Sequence, residues 1–202
     1  MNHMRSLDLR PATQERLRQA ALELFSSQGY QATSLRDLAT HLELQPGSLY
    51  NHIESKQSLL FELMEDTLHD LLAVTRSELR KPGNRLHRFV CAYVEFQAGQ
   101  GHRLTLLERE SPNLSQEQRA HIDALCEDYV QCLTAILAED APGLASITLN
   151  RLSHACIGML RSQSGWPRAM TALPVEGLAE HLGLFIGGAL AAARRATGRV
   201  AL

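Results

Sequence analysis

The chain has 202 residues, 45% of them hydrophobic, with 20 Lys and Arg against 22 Asp and Glu and a net charge of −2 at pH 7. Those proportions suit a packed core and exclude a disordered, fibrous or uniformly basic protein. Four Cys without a C-x-x-C pair, and no basic stretch leading into an apolar one near Met1, predict reduced thiols in a cytoplasmic protein.

Taken in order, residues 1–11 read as an arm. Arg5 and Arg10 there either fray into solvent or reach a polyanion. A helix is expected from about Ala12 to Gln28, where Leu17, Ala20, Ala21, Leu24 and Phe25 fall on one face and Gly29 supplies the stop. Thr33 and Ser34 are hydroxyl residues at the next helix start, and Ser34 with Asp37 fits a capping box. Leu35, Leu38, Ala39 and Leu42 then recur at helical spacing until the pattern fails at Glu43-Leu44-Gln45. Pro46 restarts it in a first turn, where a missing N–H costs nothing. The short helix that follows keeps Leu49 and Ile53 for its inner side and leaves Ser48, Tyr50, Asn51 and His52 outside. A helix this short cannot stand alone. Braced by another helix, with polar donors outward, it suits a nucleic-acid groove in the helix-turn-helix manner.

The run P-G-S-L-Y-N-H-I-E-S-K from Pro46 to Lys56, preceded by T-S-L-R-D-L-A from Thr33, resembles the DNA-binding signature of the TetR/AcrR repressors. The resemblance spans roughly Ala12 to Leu60. Three residues depart from the family pattern: Ile53 replaces a Phe, Gln45 a Ser or Thr, and Glu43 stands where a turn Gly is common. A non-Gly residue with positive φ is costly, so Glu43 tests whether the turn geometry is kept. The resemblance implies an all-α protein of about nine helices. A three-helix DNA-binding domain would occupy residues 1–54, and a larger helical ligand-binding and dimerisation domain residues 55–202. It also implies that Thr33, Ser34, Arg36, Gln45, Pro46, Gly47, Ser48, Tyr50, Asn51, His52 and Lys56 form the DNA surface. Gln45, Ser48 and Asn51 would address base edges, and Thr33, Tyr50, His52 and Lys56 phosphates. Cations and acids balance in number up to Lys56, so a modest salt dependence is expected.

Beyond the motif, Ser55 should cap a helix from Lys56 to about Arg80, with Lys56 in a first turn that disfavours a cation. Lys81-Pro82-Gly83-Asn84 is the clearest linker. Helices are then expected over about Arg85–Gln97 and His102–Glu110, separated by Gly99–Gly101. Others should follow from Ser115 to Ala138, from Ser146 to Ser164, and from Pro174 to about Ala196. The most apolar run, Leu182 to Ala193, is too short to span a bilayer.

Gly183, Gly187, Gly188, Ala189 and Ala191–Ala193 give the last helix a small-residue surface. It either packs within the chain or, as the resemblance implies, forms a homodimer interface with the helix before it. Phe89, Tyr93, Phe96, His102, Arg103, Leu106, Cys126, Tyr129 and Trp166 are candidate walls or rim of an effector pocket. The dense polar stretch around His102-Arg103 and Glu108-Arg109-Glu110 is otherwise a solvated face. A similar pattern in some family members accompanies an acyl-thioester effector.

No zinc-protease motif, nucleophile elbow, phosphate loop or paired E-x-x-H appears, so neither an enzyme, a metal nor a cofactor is expected. The reading is a ligand-responsive repressor that binds a palindromic operator as a dimer and is released by a small apolar or amphipathic effector. An all-helical small-molecule carrier without operator specificity is the alternative, left open by Glu43 and Gln45.

Overall fold

The computed structural model describes residues 5–50, 52–162 and 174–200. Among them all regular structure is helical. The order is α1 (Arg5–Gln28), α2 (Leu35–His41), α3 (Pro46–Leu49), α4 (Lys56–Leu79), α5 (Arg85–Glu110), a 3-10 turn (Ser111–Asn113), α6 (Gln116–Asp140), α7 (Ser146–Arg161) and α8 (Val175–Val200). The all-α class that the resemblance implies is the class the chain adopts.

Two element boundaries differ from expectation. Residues expected as an N-terminal arm continue α1, which starts at Arg5 and contains Pro11. The two helices expected on either side of Gly99–Gly101 are one, α5, in which Gln100 (φ −132°, ψ 24°) departs from helical geometry. The glycines on either side weaken the helix there, each costing about 0.5–1 kcal/mol against Ala in a helix interior.

The chain divides into two compact units, Met1–Thr67 with His102–Ile122, and Leu68–Gly101 with Asp123–Leu202. The division cuts α4 after Thr67, α5 after Gly101 and α6 after Ile122, so each of these helices serves both units.

In the first unit α1 buries Leu17, Ala20, Ala21, Leu24 and Phe25, the face read from the sequence. Gly29 ends it with φ +94°, and its N–H donates to Phe25 O at 3.1 Å. Helix α2 packs against both α1 and α3. Leu38, Ala39, Leu42, Leu49 and Ile53 are all buried there. Fully burying a Leu such as Leu49 contributes about 1.5–3 kcal/mol, much for a four-residue helix with no stability of its own. Arg18 of α1 pairs with Glu62 at 2.9 Å and with Asp66, both on the first half of α4. Ser115 and Gln118 close the capping box expected at the start of α6, with both reciprocal bonds formed (3.1 and 3.2 Å).

In the second unit the core gathers Leu68, Leu71 and Leu72 of α4, Phe89, Val90 and Tyr93 of α5, and Tyr129, Leu133, Ile136 and Leu137 of α6. Helix α7 packs against α8. The buried positions of α8 are Ala179, Leu182, Ile186 and Leu190, a repeat of three and four residues that marks one face. Its opposite face is apolar and uncovered: Leu184 is 69% and Phe185 64% exposed, while Gly188 and Ala192 share their side. On α7, Ile147 is 58% exposed, and Ala155 and Gly158 continue its open stripe. Among the described residues a Cβ built on Gly158, Gly183, Gly187 or Gly188 would meet nothing within 4 Å, so packing among them does not account for these glycines. By length and composition Val175–Thr197 would also cross a bilayer, a longer apolar stretch than Leu182 to Ala193 suggested.

The four cysteines are free thiols. Cys156 is buried, whereas Cys91, Cys126 and Cys132 are only partly so.

Candidate nucleic-acid interface

The site starts from the cap of α2. Ser34 Oγ accepts the Asp37 N–H at 3.2 Å, and the Asp37 carboxylate accepts the Ser34 N–H at 2.7 Å. These bonds hold the Asp37 carboxyl below its ordinary range, the Ser34 side chain contributing most. The helix ends at Leu42, and Glu43 turns the chain with φ +58°. The left-handed geometry of the turn is therefore kept despite the Gly-to-Glu departure. A left-handed non-Gly residue costs about 1–2 kcal/mol. Gln45 precedes α3 in extended conformation without a side-chain cap, and Pro46 takes the first helical position.

Leu49 and Ile53 face the core while Tyr50 is 62% exposed, as the alternation across this short helix predicts. Ser34, Arg36, Gln45 and Gly47 are exposed; Ser48 and His52 are half-exposed. Asn51 lies outside the described residues.

Thr33 must be corrected. Expected on the DNA surface, it is completely buried. Its hydroxyl donates to Leu24 O (3.4 Å) and Gly29 O (3.0 Å), so it ties the end of α1 to the start of α2. The helix cap belongs to Ser34 alone. A hydroxyl beside a cap is ambiguous in sequence, because either neighbour can take the capping geometry.

Lys56 has a second role that its position near the start of α4 did not disclose. Its ammonium donates to Tyr30 O at 2.6 Å and Thr33 O at 2.8 Å, and lies 4.0 Å from the centre of the Tyr30 ring. Burial pushes its pKa down, while Glu110 and Asp37 act in the opposite direction. Two backbone carbonyls thus offset the unfavourable helix-start position.

The structure also brings in residues that sequence reasoning did not place here. Glu110 accepts the Tyr30 N–H at 3.3 Å and Asn113 Nδ2 at 2.7 Å. Asn113 in turn accepts Gln31 Nε2, and its backbone oxygen accepts Gln57 Nε2 at 2.8 Å. The only sequence signal was the dense polarity of Glu108-Arg109-Glu110.

The candidate effector residues separate. Phe89, Tyr93 and Tyr129 meet in the second unit, with ring centroids 5.1 Å apart for Phe89–Tyr129 and 6.3 Å for Tyr93–Tyr129. The Tyr129 hydroxyl lies 3.3 Å from Thr75 Oγ1, and burial drives its pKa far upward. Phe96 is buried and Cys126 half-buried in the same unit. His102, Arg103 and Leu106 belong to the first unit. There Arg103 Nε donates to Thr67 Oγ1 at 3.3 Å, Leu106 is buried and His102 is exposed. Trp166 lies outside the described residues. Two surface grooves of the second unit run along α8, one of about 510 Å³ past Leu86, Gly187 and Arg194, the other of about 840 Å³ past His87, Cys91 and Glu176.

A capped first helix, a left-handed turn residue and a short second helix with one buried and one exposed side define a helix-turn-helix protein. The family model for bacterial regulatory proteins of the tetR family matches residues 17–63, and that for the tetracyclin repressor-like C-terminal domain matches residues 79–187. The chain belongs to the TetR family. It is 26% identical over 126 residues to the HTH-type transcriptional repressor DhaR of Mycobacterium sp. (strain GP1), covering 60% of this chain and 64% of DhaR. It is 29% identical over 106 residues to the HTH-type transcriptional repressor KstR2 of Mycobacterium tuberculosis (strain CDC 1551 / Oshkosh), covering 51% and 53%. The chain thus spans between about half and two thirds of the length of these curated relatives. A solved bacterial regulatory protein in the tetR family from Rhodococcus RHA1 superposes with a TM-score of 0.77 at 25% identity, over 89% of this chain and 96% of that one.

Proposed function

We propose that the protein is a ligand-responsive transcriptional repressor of the cytoplasm that binds a palindromic operator as a homodimer. The observation that carries the reading is the helix α3 just described: four residues, anchored by Leu49, with Tyr50 held out into solvent beside Ser48. Among the described residues Tyr50 is not part of the core, and an exposed polar ring there suits a helix that reads a groove.

The DNA surface comprises Ser34, Arg36, Gln45, Pro46, Gly47, Ser48, Tyr50, Asn51 and His52. Ser34 and Tyr50 address phosphates, while Gln45, Ser48 and Asn51 address base edges. Lys56 acts chiefly by holding the Tyr30–Thr33 turn, with its remaining donor toward the backbone of DNA. Residues 1–54 are the reading domain and 55–202 the effector and dimerisation domain.

The dimer forms through α7 and α8. Their open stripe of Ile147, Ala155, Gly158, Leu184, Phe185, Gly188 and Ala192 offers apolar anchors beside small residues, so a second copy can approach closely. Two reading heads then meet two half-sites. The same stripe accounts for the apolar character of α8 without a membrane.

The effector is apolar or amphipathic, an acyl-thioester being the first class to test. Its site is the Phe89–Tyr93–Tyr129 cluster with Phe96 and Cys126. Release requires the effector to prefer the conformation that does not fit the operator, since equal affinity for both would shift nothing.

The test is fluorescence anisotropy of the purified protein on duplex DNA from immediately upstream of its own gene, with excess non-specific competitor. Sheared genomic DNA enriched by the protein extends the search. Competitor-resistant binding with paired subunits is the expected result. If no duplex is enriched at any salt concentration, the reading is wrong.

A further inference from the structure

The Tyr30–Thr33 turn between α1 and α2 is held by more than helix capping and packing supply. Gly29 already stops α1, Thr33 already returns its hydroxyl to Leu24 and Gly29, and the Tyr30 ring already packs edge-on against Phe25 at 5.3 Å. Likewise the corner between α5 and α6 has its own supports, the buried Leu114 and the Ser115–Gln118 capping box. The polar bonds joining the turn to that corner come on top of both sets.

Building on the regulator reading above, we infer that Glu110 and Asn113 are positioning residues for DNA reading, which orient the Tyr30–Thr33 turn and so the start of α2. The turn is gripped on both backbone polarities. The Glu110 carboxylate takes the Tyr30 N–H at 3.3 Å, while the Lys56 ammonium takes the carbonyls of Tyr30 and Thr33 at 2.6 and 2.8 Å. Asn113 continues the chain: it donates Nδ2 to Glu110 Oε2 at 2.7 Å and accepts Gln31 Nε2 on Oδ1. Gln57, next to Lys56, donates to the backbone oxygen of Asn113 at 2.8 Å and closes the ring of contacts.

Each partner therefore has a defined direction. Glu110 accepts twice, and Asn113 donates once and accepts once from its side chain. Charge-assisted bonds of fixed direction set geometry more sharply than apolar contact does. The hydrophobic contacts beneath α2 and α3 fix how deeply they are buried. The polar ring fixes the angle at which α2 leaves the turn, and α3 follows α2 through the left-handed residue Glu43. A reading helix displaced by a fraction of an ångström loses the bidentate fit on which base discrimination depends.

Donor–acceptor direction permits a compensating swap. In the double variant Glu110→Gln with Asn113→Asp, the Gln carbonyl still accepts the Tyr30 N–H. Its amide donates to the Asp, whose second oxygen accepts Gln31 Nε2. Every bond is kept, and only the one between positions 110 and 113 has its donor and acceptor exchanged. Asn113→Asp alone sets carboxylate against carboxylate, whereas Glu110→Gln alone sets donor against donor until the Asn113 and Gln31 amides both turn over.

The experiment measures anisotropy on the duplex that the wild-type protein enriches from sheared genomic DNA. Subunit pairing by light scattering, melting temperature and hydrogen exchange of the Tyr30 and Gln31 amides are followed in the same samples. Asn113→Asp should bind about tenfold more weakly and exchange those amides faster, and Glu110→Gln should show a smaller loss in the same direction, with subunit pairing and melting temperature near wild type. The double variant should recover to within about threefold. A merely structural contact would lower melting temperature and leave the affinity of the folded protein unchanged. Single variants that bind like wild type overturn the inference and leave the regulator reading intact, as does a double variant that fails to recover. A wild-type protein that enriches no duplex overturns the regulator reading, and this inference with it.

Discussion

The reader from Ser34 to Ile53 and the paired helices α7 and α8 are incomplete in opposite ways. The reader is short, capped and polar outside, and what it exposes is a donor-bearing ring, Tyr50. The α7–α8 pair is long and small-residued, and what it exposes is apolar: Ile147, Leu184 and Phe185. Water hydrates the first surface at little cost and the second at more. A polar surface of that kind suits a ligand exchanged often, an apolar one a partner kept. On the proposed reading, the polar surface serves the partner that is exchanged and the apolar one the partner that is kept, a division that side-chain composition alone can set.

The largest effect should come from charging the lasting contact. Phe185→Glu puts a carboxylate into the stripe and should weaken self-association by about 3–5 kcal/mol. Light scattering should find monomer at concentrations where wild type is paired, and operator affinity should fall with it. A charged variant that stays paired would refute the assignment of this face.

Lys56→Met and Tyr50→Ala sharpen the contrast inside the reader. Removing the ammonium takes away the Lys56 bond to the Thr33 carbonyl, leaves Tyr30 O with the Thr33 N–H at 3.3 Å, and should cost about 1–3 kcal/mol of stability in urea denaturation. Tyr50→Ala should weaken operator binding about tenfold while the melting temperature holds, because the side chain is mostly in solvent. Equal stability losses in the two variants would erase the distinction between a clamp and a contact.

A smaller effect, with the opposite sign, is expected at Glu43. Glycine tolerates φ +58° without strain, so Glu43→Gly should raise stability by about 0.5–1 kcal/mol after its larger unfolded-state entropy is subtracted.

A change of pH tests the core beneath the α7–α8 face. Burial pushes the Cys156 thiol from 9.0 up to about 11. The folded state thus keeps a proton that the unfolded chain has lost, and the resulting stabilisation is complete below pH 9. It fades as pH rises from 9 to about 11. Cys156→Ala should flatten that part of the pH profile, measured by denaturant midpoints on either side of pH 9.

Local rules carried the sequence a long way here. The buried faces of α1 and α2, the Ser34–Asp37 and Ser115–Gln118 boxes, the Gly29 stop and the inward Leu49 depend on residues no more than a few turns apart. Spacing and side-chain chemistry within that range determine them. The presence of a helix-turn-helix was therefore legible from Thr33 to Lys56, and the resemblance of that run gave its class.

Tertiary structure alone decided matters that join distant residues or choose between neighbours. Thr33 and Ser34 offer the same hydroxyl to the same helix start, and only the path of the chain sends one inward and the other to the cap. The extent of α1 past Pro11 and the continuity of α5 through Gln100 depend on context that outweighs local preference. The Glu110 contact with Tyr30 spans 80 positions, and no periodicity records a bond between residues so far apart. Whether the glycines of α8 are packed or open was likewise undecidable from composition, because small residues suit both. The open space beside them came from three-dimensional packing, which depends on where the neighbouring helices lie.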